Sequence, residues 1–199
     1  MTLSHDTIED DMRARILVVA ERLFREIGYQ KTTVADIAKV LRMSPANVYR
    51  YFDSKKSINA GVARRLMGEV EVAADAIVAN RRPAPQRMRE LLASVHQMNA
   101  ERYVGDSKLH EMVAVAMEEN WDVCEAHMHR VRESIGAIVA DGVAAGDFHA
   151  PDVPLAAACI CTGMIAFFHP QMIAQCADKP GPELEQMIDF VLAGLAPRG

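Results

Sequence analysis

A short run of hydrogen-bonding side chains, residues 44–55, is the part of this sequence whose residue types best suit chemical recognition. It carries an amide, a guanidinium and two phenols, at Asn47, Arg50, Tyr49 and Tyr51. Asparagine can form paired hydrogen bonds with adenine, and arginine can form them with guanine. We therefore predict that Asn47 and Arg50 contact base edges in a DNA major groove, and that both tyrosines contact the phosphate backbone.

A helix start precedes this run. Thr33 is a candidate N-cap, and Asp36 follows it by three residues, which is the spacing of a capping box. Apolar residues then recur at helical spacing, at Val34, Ile37 and Ala38. The pattern predicts a short helix that ends near Leu41.

A second helix start lies inside the run itself. Ser44 is another candidate N-cap, and Pro45 stands at the first helical position, where a missing N–H costs little. The helix is predicted to extend to about Tyr51, with Arg42 in the tight turn before it. Because a helix of this length is not stable alone, it needs neighbouring helices to support it. A short supported helix with polar side chains fits a DNA major groove.

The stretch from Thr32 to Lys55 reads TTVADIA…MSPANVYRYFDSK, and it resembles the DNA-binding domain of the TetR family of transcriptional repressors. The resemblance extends over roughly residues 10–60 and implies a helix-turn-helix with a third helix before it. In that family a lysine at the position of Lys55 contacts backbone phosphate. The family usually has glycine where this sequence has Arg42, so either the turn differs or a strained backbone is tolerated.

These arguments together define the predicted DNA-contacting residues. Thr33 and Ser44 would offer hydroxyl and backbone N–H groups to phosphate, and Arg42 would reach a phosphate from the turn. Pro45 and Ala46 complete the set at the start of the second helix. The full set is Thr33, Arg42, Ser44, Pro45, Ala46, Asn47, Tyr49, Arg50, Tyr51 and Lys55.

Charge is distributed unevenly along the chain. Its 199 residues carry a net charge of −5, which taken alone argues against a nucleic-acid partner. The segment 13–65, however, holds 12 Lys and Arg against 4 Asp and Glu, a net of +8, and the remaining residues have a net of −13. A basic segment on an acidic body favours phosphate binding at one end of the chain. A chance distribution of surface charge is the alternative.

The rest of the chain has helical patterns throughout. Apolar residues recur every three or four positions in segments separated by glycine and proline, and 50% of all residues are apolar. Residues 1–53 would form a three-helix DNA-binding domain, and residues 54–199 a helical domain for ligand binding and dimerisation. We predict an all-α chain of about nine helices, at residues 7–28, 34–41, 45–51, 54–81, 85–103, 108–120, 121–145, 154–177 and 183–195.

The last two predicted helices are apolar and weakly charged. Small residues in the first of them allow another helix to approach closely: Ala156, Ala157, Ala158, Gly163 and Ala166. In the TetR family the two C-terminal helices build a dimeric four-helix interface, so the resemblance implies a homodimer through residues 154–177 and 183–195. Two copies of the DNA-reading helix would then bind a palindromic operator. The alternative is that these helices only fill the core of one chain.

A permissive apolar pocket is also predicted. The chain has 12 methionines and only 6% aromatic residues, a composition that suits a pocket whose lining adapts to its contents. Members of the family bind an effector between these helices, which implies an unidentified small apolar effector that spreads the DNA-reading heads. Core packing explains each methionine equally well. The predicted lining is His96, Met98, His110, Met112, Met117, Trp121, Met128, Met164, Phe168 and His169.

Catalytic and metal-binding motifs are absent from the sequence. No glycine-rich phosphate loop, GxSxG or HExxH motif occurs. His127 and His129 are separated by two positions, as are Cys159 and Cys161, which turns each pair about 200° apart on a helix. Neither pair can chelate a metal by itself. We predict no cofactor, no metal site and no catalytic residue.

These features predict a cytoplasmic, ligand-responsive transcriptional repressor. The sequence has no signal peptide and no apolar run of about 18 residues, so we expect a chain that stays off the membrane with its four cysteines reduced. An activator or dual regulator on the same fold is one alternative, because the sequence does not separate the two. A small-molecule enzyme or sequestering protein with this fold is the other.

Overall fold

The structure, a computed structural model, describes residues 5–103, 107–119, 121–176 and 179–197, without the side chains of residues 5–8, 103, 107, 109, 110, 119 and 121. Over these residues the chain is all-α and contains no strand, which confirms the predicted fold class. The helices are α1 (His5–Ile27), α2 (Val34–Val40), α3 (Pro45–Tyr49), α4 (Lys55–Val78), α5 (Ala84–Tyr103), α6 (Ser107–Glu119), α7 (Trp121–Ala145), α8 (Val153–Gly163), α9 (Ile165–Phe168), α10 (Pro170–Cys176) and α11 (Leu184–Leu195).

The single long helix predicted for residues 154–177 is wrong, because the structure divides its described part into α8, α9 and α10. Met164 forms the first break with φ −86° and ψ 2°, and His169 forms the second with an extended backbone, φ −82° and ψ 121°. His169 precedes Pro170, and a residue before proline is pushed out of the helical region. Proline also lacks the N–H that a continuous helix would need. These two breaks raise the number of helices in the described ranges from the predicted nine to eleven.

The chain divides into two compact units. The first comprises Met1–Leu66 and Asp106–Cys124, and the second comprises Met67–Gly105 and Glu125–Gly199. α4 and α7 therefore contribute to both units, whereas α6 belongs to the first. The prediction that two functional domains divide between residues 53 and 54 stays a prediction.

The core of the first unit consists of the apolar stripes that the sequence predicted on its helices. α1 ends at Gly28, whose φ of 94° lies in the left-handed region that glycine adopts most readily. Ser54, at the start of the helix predicted for residues 54–81, precedes α4, and its hydroxyl accepts a hydrogen bond of 3.0 Å from the Ser57 backbone N–H. The buried residues include Ile16, Ala20, Phe24, Ile37, Ala38, Val48, Ile58 and Val62.

The core of the second unit joins α5 and α7 to α8 and α11. On the surface, Arg89 of α5 forms ion pairs with Glu185 and Asp189 of α11. The connection after α7 folds back so closely on that helix that a Cβ atom on Gly142 would overlap the ring of Phe148, which is buried. Fully buried side chains here include Met88, Leu91, Leu92, Ile135, Ile138, Met164 and Ile188.

Candidate nucleic-acid interface

The start of α2 is held by the capping box that the sequence predicted. The Thr33 hydroxyl accepts a hydrogen bond of 3.1 Å from the Asp36 backbone N–H, and the Asp36 carboxylate accepts one of 2.9 Å from the Thr33 backbone N–H. The Thr33 hydroxyl also donates to the same carboxylate, at 2.6 Å. These bonds, with the side-chain bond contributing most, lower the pKa of Asp36. The cap therefore stays ionised and intact at neutral pH.

The turn after α2 has the geometry of a standard helix C-terminus. The Met43 N–H donates to the Ala38 carbonyl at 3.0 Å, and the Arg42 N–H donates to the Lys39 carbonyl at 3.2 Å, which is the bonding pattern of a Schellman motif. Arg42 occupies the position that glycine usually takes, and its φ is 56°. The sequence left open whether the turn differs or a strained backbone is tolerated. The structure shows the second outcome, a standard turn with a strained Arg42.

α3 is anchored by one apolar residue and exposes the remainder of its surface. The Ser44 hydroxyl accepts a hydrogen bond of 3.2 Å from the Asn47 N–H, and Pro45 occupies the first turn, so both predicted start signals are confirmed. Val48 is the one buried residue of the helix, whereas Pro45, Ala46, Asn47 and Tyr49 are exposed. α3 thus presents polar groups to solvent on a short helix fixed from behind.

The helix ends earlier than predicted. α3 closes at Tyr49 rather than Tyr51, because the Tyr51 N–H bonds to the Val48 carbonyl at 2.9 Å in a tighter turn. Arg50 is the C-cap residue, and it remains exposed. Its guanidinium lies 3.5 Å from the Asn47 side-chain oxygen, a distance at which the hydrogen bond is weak. The two predicted base-contacting side chains are therefore adjacent and loosely paired.

Lys55 has a structural role that the sequence did not predict. Its ammonium donates to the carbonyls of Tyr29 at 2.9 Å, Thr32 at 3.1 Å and Gln30 at 3.3 Å, and it lies 4.3 Å from the centre of the Tyr29 ring. These carbonyls explain why a cation is tolerated in the first turn of a helix, where the helix dipole opposes it. A phosphate contact would require the ammonium to exchange one carbonyl for a phosphate oxygen, and it stays a prediction.

α6 supports the same loop from the other side. The Glu111 carboxylate accepts a hydrogen bond of 3.2 Å from the Gln30 N–H, and the Lys108 ammonium donates to the Glu26 carbonyl. Sequence reasoning missed Glu111 because the two residues of this bond are 81 positions apart, and no local pattern links them. α6 therefore helps to fix the loop that leads into α2.

A third cation, Arg13 of α1, contacts the chain directly after α3. Its guanidinium donates to the Tyr51 carbonyl at 2.6 Å. The same group lies 4.6 Å from the centre of the buried Phe52 ring, a cation–π distance. Both contacts involve the segment that joins α3 to α4.

Five of the predicted effector-lining residues lie in the second unit, two on α5 and three at or beside the two breaks that flank α9. They are His96, Met98, Met164, Phe168 and His169. The His96 ring lies 2.9 Å from the Phe167 carbonyl, and the side-chain amide of Asn99, which the sequence did not identify, donates to the Phe168 carbonyl at 2.8 Å. Burial lowers the pKa of His169. Polar groups of α5 thus bind carbonyls left free by the break.

The other predicted lining residues are distributed elsewhere. Met112 is fully buried on α6 in the first unit, where its carbonyl accepts a long hydrogen bond of 3.5 Å from Asn59. Met117 also lies on α6, and Met128 on α7 is 42% exposed. The side chains of His110 and Trp121 lie outside the described residues. The ten residues are therefore not one continuous wall in either unit, and their predicted role stays a prediction.

In the described part of the chain, no three His, Cys, Asp or Glu side chains are arranged to hold a metal ion. Cys124 is buried and Cys159 is exposed. Burial raises the pKa of the Cys124 and Cys161 thiols. None of the helices described is long and apolar enough to span a membrane.

This geometry is that of an all-α DNA-binding regulator with a helix-turn-helix. The profile "Bacterial regulatory proteins, tetR family" matches residues 16–62, and "Tetracyclin repressor-like, C-terminal domain" matches residues 84–188, more than half of the chain. The chain belongs to the TetR family of transcriptional regulators, which confirms the resemblance seen in its sequence.

Individual relatives support the same fold and the same DNA-binding segment. "Biofilm operon icaADBC HTH-type negative transcriptional regulator IcaR" of Staphylococcus aureus (strain Newman) is 49% identical over 47 residues, 24% of this chain and 25% of that protein. The chain thus spans about a quarter of the length of the curated relatives it matches.

Among solved structures, a TetR/AcrR-family regulator from Thermobifida fusca is 24% identical with a TM-score of 0.66, over 92% of this chain and 98% of that one. The TetR-family regulator PfmR from Thermus thermophilus is 26% identical with a TM-score of 0.59, over 92% and 100%. The fold is therefore shared along nearly the whole of each protein.

Proposed function

We propose that this chain is a cytoplasmic, homodimeric repressor that binds a palindromic DNA operator and releases it when a small apolar effector binds, without catalysis. The observation that carries the proposal is the capped α2–turn–α3 unit, in which Val48 is buried and the polar residues of α3 are exposed. A helix presented in this way can enter a major groove without unfolding anything else. Repression is favoured over activation because the relative from S. aureus is described as a negative regulator.

Sequence recognition would depend on Asn47 and Arg50. Both are exposed, and the weak 3.5 Å contact between them can be exchanged for bonds to base edges at little cost. The backbone contacts would come from Thr33, Ser44 and the two tyrosines, all of which carry hydroxyl groups that can bind phosphate.

The experiment that tests this proposal begins with selection of bound fragments from random DNA. Asn47→Ala is expected to weaken binding to the selected operator by about 10-fold or more, and to remove discrimination at one position in each half-site, at a cost of about 1–3 kcal/mol. Lys56→Ala is the comparison variant, because Lys56 is exposed on α4 outside α3. Recovery of no enriched sequence, or equal discrimination by Asn47→Ala, would contradict the proposal.

Dimerisation is proposed through α8 and α11. Both helices keep an apolar core face and also leave apolar side chains in solvent, with Phe190 71% and Leu155 59% exposed. Large exposed apolar residues on adjacent helices are typical of a protein–protein interface. A two-fold dimer would read two half-sites centred about 10 base pairs apart or a multiple of that spacing.

Effector response is proposed to involve the second unit, which holds His96 and Met98 on α5 and Met164, Phe168 and His169 at or beside the breaks that flank α9. The support is chemical: adaptable thioethers and an imidazole kept neutral by burial suit an apolar ligand with one polar group. After α5 the chain continues into α6, whose Glu111 binds the Gln30 N–H in the loop before α2. The proposed effector site and the DNA-binding helices are therefore connected along the polypeptide chain. We expect a compound that binds and raises the melting temperature of the protein also to release it from the operator. Stabilisation without release would count against the proposed effector response.

A further inference from the structure

Arg13 makes two contacts that fix the chain directly after α3, the proposed recognition helix. Its guanidinium donates to the Tyr51 carbonyl at 2.6 Å and lies 4.6 Å from the centre of the Phe52 ring. Arg13 itself is exposed and belongs to α1, 38 residues before Tyr51. Tyr51 follows Arg50, the C-cap residue of α3, so Arg13 holds the chain directly after the helix.

The position of these contacts matters because α3 has few other supports. The helix spans five residues with Val48 as its one buried side chain, and its first turn is held by Ser44. Phe52, which is 6% exposed, anchors the segment after it. Backbone bonds from the N–H groups of residues 50–52 return to the last turn of α3. Among described side chains, Val48, Phe52 and Arg13 are the ones that anchor the end of the helix that carries Arg50.

We propose that Arg13 is a positioning residue for sequence recognition: it binds the Tyr51 carbonyl and the Phe52 ring and thereby sets the angle at which α3 presents Asn47 and Arg50 to the bases. This inference rests on the proposed DNA-binding function. It differs from a phosphate contact, because the guanidinium is already directed at protein groups. Loss of the residue should therefore reduce discrimination between operator and random DNA, whereas loss of a phosphate contact weakens binding to all DNA alike.

The test measures affinity for the selected operator and for random DNA as a function of salt, with Arg13→Ala, Arg13→Lys and the full-length parent. Arg22→Ala is the charge-matched control, because Arg22 lies on the same helix, is exposed and pairs with Glu26 rather than with α3. We expect Arg13→Ala to lose about tenfold in operator affinity relative to Arg22→Ala, since one charge-assisted hydrogen bond is removed. Random-DNA binding should match that of Arg22→Ala. Arg13→Lys should recover most of the loss, because an ammonium can still donate to the carbonyl and stack on the ring.

The slope of log affinity against log salt separates the two roles. Arg13→Ala should keep the slope of the Arg22→Ala control, whereas a lost phosphate contact would lower its magnitude by a further ~0.9. A lower slope, or operator affinity equal to that of Arg22→Ala, would overturn the inference. If Arg13→Ala does not fold, Arg13→Gln decides, because its neutral amide can still donate to the Tyr51 carbonyl but carries no charge to a phosphate: it should keep the slope of the Arg22→Ala control, and a further fall of ~0.9 in the magnitude of the slope would overturn the inference. A parent that binds no DNA would instead overturn the proposed function and the inference together.

Discussion

Arg42 shows how one residue can depart from its family without changing the turn. Its φ of 56° places an L-residue in the left-handed region, which costs about 1–2 kcal/mol. The bonds from the Arg42 and Met43 N–H groups to the end of α2 nevertheless have the standard pattern. The chain therefore retains a strained arginine beside the recognition helix, where its charge would face DNA.

We predict that Arg42→Gly raises the free energy of unfolding by about 0.5–1 kcal/mol, because relief of the strain exceeds the entropy that glycine adds to the unfolded chain. Arg42→Ala should give no such gain, since alanine keeps the Cβ atom. Urea denaturation of both variants measures the difference. If Arg42 also contacts phosphate, both substitutions should lower the salt dependence of DNA binding equally. A glycine variant no more stable than the alanine variant would show that the position is not strained.

His169 is a residue whose charge depends on its surroundings. Burial lowers its pKa, so the folded protein holds a neutral imidazole at a pH where the unfolded chain, with an ordinary pKa of about 6.5, binds a proton. The unfolded state therefore gains protons first as the pH falls. The stability that neutral His169 contributes is therefore present above the pKa of the unfolded state. It is lost as the pH falls towards the lower pKa of the folded state.

We predict that the parent loses stability between pH 7.5 and pH 5.5 and that His169→Gln loses less over the same interval. His129→Gln is the matched control, because His129 is an exposed histidine on α7. Urea midpoints at several pH values measure the effect. Parallel pH profiles for the parent and His169→Gln would rule out this role for the imidazole.

α7 illustrates how the packing around a helix constrains individual positions. Two of its glycines face different surroundings: a Cβ atom on Gly142 would overlap the Phe148 ring, whereas one on Gly136 would lie 3.7 Å from the Ala157 Cβ, an ordinary contact. The same amino acid in the same helix is thus required at one position and replaceable at the other.

We predict that Gly142→Ala lowers the free energy of unfolding by about 2 kcal/mol through overpacking. Gly136→Ala, the control in the same helix, should raise it by up to about 1 kcal/mol, because alanine has the higher helix propensity. Thermal and urea unfolding of the two variants measure the difference. A stabilising Gly142→Ala would mean that Phe148 moves freely, contrary to its burial.

At the scale of the whole molecule, the proposed dimer compensates for the shortness of α3. One helix of this length would read few base pairs, so the affinity for the proposed operator would depend on a second copy at a fixed spacing. Phe190 on α11 and Val72 on α4 are equally exposed, at 71% each. Only Phe190 lies on the surface that we assign to the dimer, which makes the two residues a matched pair.

We predict that Phe190→Glu yields monomers and loses operator affinity by about 10²-fold or more, because a charge buried in an apolar interface is costly. Val72→Glu should remain dimeric and bind DNA as the parent does. Analytical ultracentrifugation and binding titrations measure both quantities. A Phe190→Glu protein that stays dimeric would place the interface on another surface.

The sequence by itself determined the features that depend on neighbouring residues. The caps at Thr33, Ser44 and Ser54, the helical periodicity, the proline at the start of α3 and the turn at Arg42 all act within a few positions, so local rules predict them. The all-α class and the helix-turn-helix followed from these. Pro170 is a further local signal, which the prediction of a single helix at residues 154–177 overlooked. A proline disfavours the helical backbone at the residue before it and so marks the second of the two breaks, at His169.

Only the tertiary structure decided the features that join distant residues. Lys55 meets carbonyls 23 to 26 positions earlier, Glu111 meets a backbone N–H 81 positions earlier, and Arg13 meets a carbonyl 38 positions later. The sequence predicted a phosphate contact for Lys55 and did not identify the partners of Glu111 or Arg13, because charge alone does not reveal a partner. Folding supplies the partner, since the direction of a long side chain depends on which backbone atoms the packing of α1, α4 and α6 brings within its reach.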